Sequence, residues 1–168
     1  MSEIATLAVM KLSNGVEWAL HCCVSLGQSH APVPAARLAK LHGIPPAYLA
    51  KHLQSLSQAG ILRSTPGPVG GYSFAQSPTQ VSVLDVVLAI DGPEPAFRCT
   101  EIRRQGPLGL SPEKCQKPCA VSRAMAAADA AWRAALKGIT IADLARDIDA
   151  DSAGTAMGSV RQWLAGTG

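Results

Sequence analysis

PAARLAKLHGIPPAYLAKHLQSLSQAGILRSTPGPVGGYSFA, residues 34–75, is the stretch whose reading decides the fold. Residues 35–41 (AARLAKL) have the pattern of a short amphipathic helix. His42, Gly43 and Ile44 follow as a tight turn built around a glycine. Pro45 stands near a helix start, where a missing N–H costs nothing because first-turn donors lack helical partners anyway. The next segment, PAYLAKHLQSLSQA, places Leu49, Leu53, Leu56 and Ala59 at three- and four-residue spacing, the period of one helix face. Gly60 is placed to end it. ILRST and YSFA, on either side of PGPVGG, read as two short strands around a turn. Helix, glycine turn, longer helix and hairpin together predict a helix-turn-helix with a wing.

Outward from this segment, Ser13 is a candidate N-cap for a helix through VEWALHCCVSLG that ends near Gly27. Residues 82–90 (SVLDVVLAI) predict a buried helix, although their β-branched side chains leave a strand open. Residues 91–118 are irregular and rich in Pro, Gly and Arg, and a loop of that length is usually functional or disordered. Residues 119–137 are a strong Ala-rich helix, with Val121, Ala124, Ala128, Ala131 and Ala135 in one stripe that Met125, Trp132 and Leu136 widen. Such small residues let two helices approach closely, which suits a homodimer seam; packing within one subunit is the other reading. Residues 140–148 (TIADLARDI) predict a capped terminal helix, and the tail from Ala150 is expected to be loose apart from a turn at VRQWLA. The expected fold is mainly α with a small β wing: a winged helix-turn-helix plus a long dimerisation helix. Its segments are an extension (1–9), a DNA-binding domain (10–90), a loop carrying cysteines (91–118), a dimerisation and terminal helix (119–149) and a tail (150–168).

A hydrophobic content of 48% supports a core, and 16% charged residues argue against long disordered tracts. The net charge is +3, and its excess lies in residues 1–75, where five Lys/Arg face two acids, Glu3 and Glu17; residues 76–168 are balanced at ten against ten. That bias suits a phosphate-facing surface, although a solvated face reads the same way. The apolar runs are too short and too interrupted to span a membrane, and MSEIATLAV lacks the basic flank and cleavage site of a signal peptide, so a cytoplasmic location is expected. Five cysteines without a secretion signal argue for metal or redox chemistry over a disulfide framework. No Gly-rich nucleotide fingerprint and no suggestive Ser/His/Asp grouping points to an enzyme.

Two sets of residues carry chemistry. In a helix-turn-helix the N-terminal part of the second helix meets base edges, which nominates Pro46, Ala47, Tyr48, Lys51 and His52. Lys11, Arg37, Lys40 and Arg63 are placed to hold phosphates, and the wing tip at 66–71, with Gly70 and Gly71, to approach a groove. The plainer reading buries part of Tyr48 and leaves the lysines solvated. In the second set Glu17 and His21 are four apart on one predicted helix, beside Trp18 and Cys22. Such a pair alone is more often a surface hydrogen bond than a pair of ligands. Cys99, Cys115 and Cys119 are spaced more widely than the C-x2-C pairs of zinc ribbons and unlike simple ferredoxins, so spacing leaves metal or cluster binding open.

The segments MKLSNGVEWALHCC, VPAARLAKLHGIPPAYLAKHLQSLSQAGILRS, GGYSFA, LDVVLAIDGPEPAFRCTEIRRQGPL and CQKPCAVSRAM resemble the winged-helix iron–sulfur regulators that include IscR and NsrR. GVEWALHCC with PAFRCTEIRRQGP is similar to the redox-sensing RsrR subgroup. The resemblance implies a transcription regulator, in all expectation a repressor, that binds double-stranded operator DNA as a homodimer. It implies a 2Fe–2S cluster held by Glu17 and His21 of one subunit and Cys99 and Cys119 of the other, with Cys115 the doubtful member. It also makes Trp18, beside the ligands, the candidate redox switch. Two departures stand out: Pro66 replaces an arginine of the IscR wing, and Ala47 and Ala50 replace polar residues of its recognition helix, so a different operator is expected. A zinc-containing or thiol-based regulator, or an iron–sulfur electron-transfer protein, would use the same residues.

Overall fold

Val16, Ala19, Cys22, Cys23 and Leu26 recur at helical spacing, and all are buried along one side of helix α1 (Asn14–Leu26). The computed structural model describes residues 12–166, which divide into two units: residues 12–93 with 136–166, and residues 94–135. In the first unit Ser13 occupies the cap position of α1 but does not cap it. Its N–H and hydroxyl both donate to the Asp91 carboxylate, at 3.0 and 2.5 Å. The expected local cap is thus a tertiary tie, since Asp91 ends another helix and offers a charged acceptor stronger than a backbone carbonyl.

Helix α2 (Ala35–His42) stops at Gly43, whose φ of 63° is the left-handed conformation that a side chain disfavours. Helix α3 (Pro46–Gln58) has Pro at its first position and buries Leu49, Leu53 and Leu56 completely. Each such leucine contributes about 1.5–3 kcal/mol of transfer free energy. Strands β1 (Leu62–Thr65) and β2 (Gly71–Phe74) pair antiparallel, with Leu62 opposite Phe74 and Thr65 opposite Gly71. Val33, just ahead of α2, bridges Tyr72 through bonds of 2.9 and 2.8 Å, which fastens the wing to the helix-turn-helix.

The segment at 82–90 is helical over residues 83–91, and the cap at Ser82 decides it. Ser82 Oγ accepts the Asp85 N–H at 3.1 Å while the Asp85 carboxylate accepts the Ser82 N–H at 2.8 Å, closing the first turn of α4 (Val83–Asp91). Thr140 and Asp143 repeat this box at α6 (Ile141–Asp151), and Ser82 and Thr140 bridge each other. Ile141 is fully buried, with Leu144, Ala145 and Ile148 against the same core. The terminal helix therefore belongs with the reader, where the sequence grouped it with the dimerisation helix. The loose tail is also corrected: Ala156–Ala165 is a helix, α7, with Met157 buried and Val160 and Leu164 packed on the core. The surrounding Gly, Ser and Thr hid this three- and four-residue spacing. Asp149 and Ser152 side chains accept the Met157 and Ala156 N–H groups that start the helix, at 2.9 and 3.1 Å.

The second unit is built differently. It holds two 3-10 turns, Ile102–Arg104 and Pro112–Cys115, and most of α5 (Ala120–Lys137). The Arg103 guanidinium forks onto Glu101 at 2.6 and 2.9 Å and reaches the Lys117 carbonyl at 2.9 Å, so ionic bonds organise the loop. None of residues 94–135 is buried.

Candidate nucleic-acid interface and metal ligands

The exposed face of α3 and the wing enclose a groove of about 590 Å³, lined by Ala47, Ala50, Lys51, Gln54 and Ser57 from the helix and by Ser64 and Tyr72 from the strands. Three leucines anchor the opposite face of α3, so the polar edge is held outward on a rigid element. Lys51 is exposed. Gln54 was missed by the sequence reading, although it lies one turn beyond Ala50 and Lys51 on the same face. Adenine is the base edge that such an amide reads.

Other nominated residues divide in two. Pro46, Ala47, Tyr48, Lys40 and Arg63 are exposed, Tyr48 at 62%; Arg63 Nε donates to Ser73 Oγ at 3.2 Å across the hairpin. His52 is half-buried and faces α1: its ring lies 6.0 Å from that of Trp18, and a Cβ on Gly15 would come within 2.4 Å of it. Burial first, then the Lys51 charge, hold the His52 pKa below the usual imidazole value, opposed by Asp91. Gly70 is buried, and a Cβ there would strike the Thr65 carbonyl oxygen at 2.1 Å. Gly71, at φ 148°, lies so close to Val33 that a Cβ would fall 2.3 Å from its carbonyl carbon. Both glycines serve the wing's closure, and the exposed tip is residues 66–69. Arg37 is turned toward α7 and donates through Nη2 to the carbonyls of Trp163, at 2.6 Å, and Gly166. Lys11 lies outside the described residues.

Glu17 and His21 are exposed one turn apart on α1 and line a groove of about 420 Å³ with Leu12, Val16, Leu20, Val24, Leu144 and Ile148. Neither makes a side-chain hydrogen bond among the described residues, so both keep lone pairs for a ligand. Behind them α1 touches both helices of the reader. The His21 ring lies 6.1 Å from that of His42 on α2, which bonds Ser25 Oγ at 3.1 Å. Burial first, then His21, hold the His42 pKa low. Trp18, next to Glu17, meets Tyr48 edge-on at 6.4 Å, as well as His52. Cys22 and Cys23 are buried; burial pushes the Cys22 thiol up to about 12 and Cys23 higher still, so neither offers a thiolate.

In the second unit Cys99 is exposed and Cys119 half-buried. Cys119 precedes α5, and its Sγ accepts the Ser122 N–H at 3.2 Å. That bond, a hydrogen bond with Cys99 and the Arg103 charge hold its pKa below the ordinary thiol value, which favours the thiolate that a metal needs. Cys115 also feels Arg103, but among the described residues no three His, Cys, Asp or Glu side chains gather as a metal set. Cys99 and Cys119 thus form a pair, as do Glu17 and His21.

A recognition helix, a paired wing and an outward polar edge define a winged-helix transcription regulator. The family model of Rrf2, an iron-dependent transcriptional regulator, matches residues 12–147, and the chain belongs to that family. It is 32% identical over 139 residues to the Mycobacterium tuberculosis protein Rv1287, named as an HTH-type transcriptional regulator, with 81% of each chain covered. The fold is that of IscR of T. potens (TM-score 0.63, 21% identity, 88% of this chain and 93% of that one). It is also that of CymR, the global cysteine regulator of B. subtilis (TM-score 0.60, 22% identity, 82% and 98%). These relatives are regulators rather than enzymes, and no described helix is long and apolar enough to cross a membrane.

Proposed function

We propose that this regulator is a redox-sensing repressor of the RsrR kind: a homodimer on operator DNA whose affinity is set by a 2Fe–2S cluster held by Glu17, His21, Cys99 and Cys119. The donor set fits such a group. Each pair supplies half of a four-ligand site, with the ligands shared between subunits as the family resemblance implies. Cys119 is biased toward thiolate, while Glu17 and His21 have no competing hydrogen bonds among the described residues. A bound cluster supplies a one-electron couple, and a neutral histidine ligand raises its potential relative to all-cysteine ligation.

The observation that carries the reading is the position of Trp18. It adjoins Glu17 in sequence, and its indole meets both Tyr48 and His52 on the recognition helix. A change of charge at Glu17 and His21 alters the field on this ring. Its edge contacts pass any reorientation to α3, while His21 against His42 passes it to α2. Affinity then follows which arrangement of the reader is populated. The test is anaerobic purification, iron and sulfide counting, and absorbance of the wild type, Glu17→Ala and His21→Ala. The reading requires a coloured protein whose spectrum both substitutions change. An unchanged spectrum in either variant removes that ligand, and equal DNA affinity for oxidised, reduced and cluster-free protein removes the switch.

An exposed Cys99 and a Cys119 biased toward thiolate favour one second reading, a thiol-based switch in which a two-electron oxidant joins the two sulfurs as a disulfide. A colourless protein with oxidant-dependent DNA binding, abolished in Cys99→Ser, would select it.

A further inference from the structure

α7 lies beyond the matched family region, which ends at residue 147, and it holds the one arginine of the helix-turn-helix's first helix. Nη2 of Arg37 donates to the Trp163 carbonyl at 2.6 Å and to that of Gly166, and the guanidinium sits 4.9 Å above the Trp163 indole. The docked state leaves a fault: Arg37 Nε is buried and, among the described residues, has no acceptor. A guanidinium is built to use Nε and Nη2 together as a fork on one two-oxygen anion, and peptide carbonyls give it single neutral acceptors instead. The place matters as well. Arg37 is one helical turn from Val33, and Val33 is paired with Tyr72, which lines the α3–wing groove. Lys40, one turn further, shares with Arg37, Gln162 and Trp163 an open groove of about 480 Å³.

We propose that Arg37 is a backbone-phosphate site of the DNA interface that α7 holds in reserve: the C-terminal carbonyls and a duplex phosphate compete for one guanidinium. The phosphate offers the charged, bidentate acceptor that satisfies Nε, and α7 gives up Arg37 when DNA docks. The proposal rests on the DNA-reader function and is independent of any cluster.

The probe is a random-sequence duplex of about 30 base pairs, titrated by anisotropy across salt concentrations, because a phosphate contact carries no sequence information. Trp163→Ala removes the stacking that holds the guanidinium and is expected to raise affinity roughly threefold to tenfold. The log–log salt dependence should stay as steep as in the wild type, because the duplex takes Arg37 in both proteins. Adding Arg37→Ala to that variant should make the slope shallower than the wild type by about 0.9 per protomer. In the unmodified protein, amides of residues 159–166 should exchange with solvent faster when duplex saturates it, a readout that does not depend on how a variant folds. Unchanged or weaker binding by Trp163→Ala, or protection of those amides by DNA, overturns the strap and makes α7 a brace or a contact surface. Lys51→Ala is the control for the reader: it should weaken duplex binding in every background. If it does not, or if the wild type binds no duplex, the reader fails and the strap with it. A working reader whose slope Arg37→Ala leaves unaltered sinks the strap alone.

Discussion

Residues 46–58 and residues 120–137 are both amphipathic helices with regular apolar spacing, yet one is a pillar of a core and the other buries nothing. In α3 the stripe is Leu49, Leu53 and Leu56, each wholly inaccessible. In α5 the stripe of Val121, Ala124, Ala128, Ala131 and Ala135 is exposed along its length, Val121 at 62%. Periodicity says that a face wants burial; it does not say against what. The α3 face finds α1, α4 and the wing in its own chain. In the homodimer we propose, the α5 face is the seam for a second copy, as close approach of small residues allows.

Three measurements break or sharpen this contrast. Leu53→Ala should have the largest effect, destabilising the fold by about 2–5 kcal/mol in urea denaturation, the range for a cavity left by a buried leucine. A loss under 1 kcal/mol would mean that α3 is not core. Ala128→Arg should leave the reader's unfolding midpoint nearly unchanged but shift the protein toward monomer in sedimentation equilibrium, since it places a charge in the small-residue seam. A dimer as tight as the wild type would move the seam elsewhere. The smallest effect concerns pH. His52 has a folded pKa below the ordinary 6.5, so the unfolded chain takes up its proton first as pH falls. Stability is then full above pH 6.5 and declines as pH drops below it. His52→Gln should flatten that decline; a stability that instead rises on acidification would contradict the burial of His52 against Trp18.

The candidate sites were legible to different depths. Glu17 and His21 could be paired from four-residue spacing, and both are exposed on the same helix. What spacing could not supply was their backing, because Trp18 meets Tyr48 and His52 across thirty or more residues of sequence. Gln54 was hidden among polar residues whose facing only the wing decides. Gly70 and Gly71 looked like contact points because glycines mark tips; the reason for them is the approach of the Thr65 and Val33 backbones. Arg37 read as a free phosphate ligand, since nothing local reveals an acceptor at Trp163.

By itself the sequence determined the helix-turn-helix and its wing, the capped helix after Thr140, and the division between a positively biased half and a neutral one. Each of these follows from rules of short range: helical and strand periodicity, proline at a first turn, a reciprocal cap three residues apart. Only the tertiary structure decided that Ser13 ties to Asp91 and that the terminal helix joins the reader. Only it decided that residues 156–165 fold back as α7 and hold Arg37. These depend on acceptors and apolar faces brought from the far end of the chain, and a local pattern carries no information about which partner will arrive.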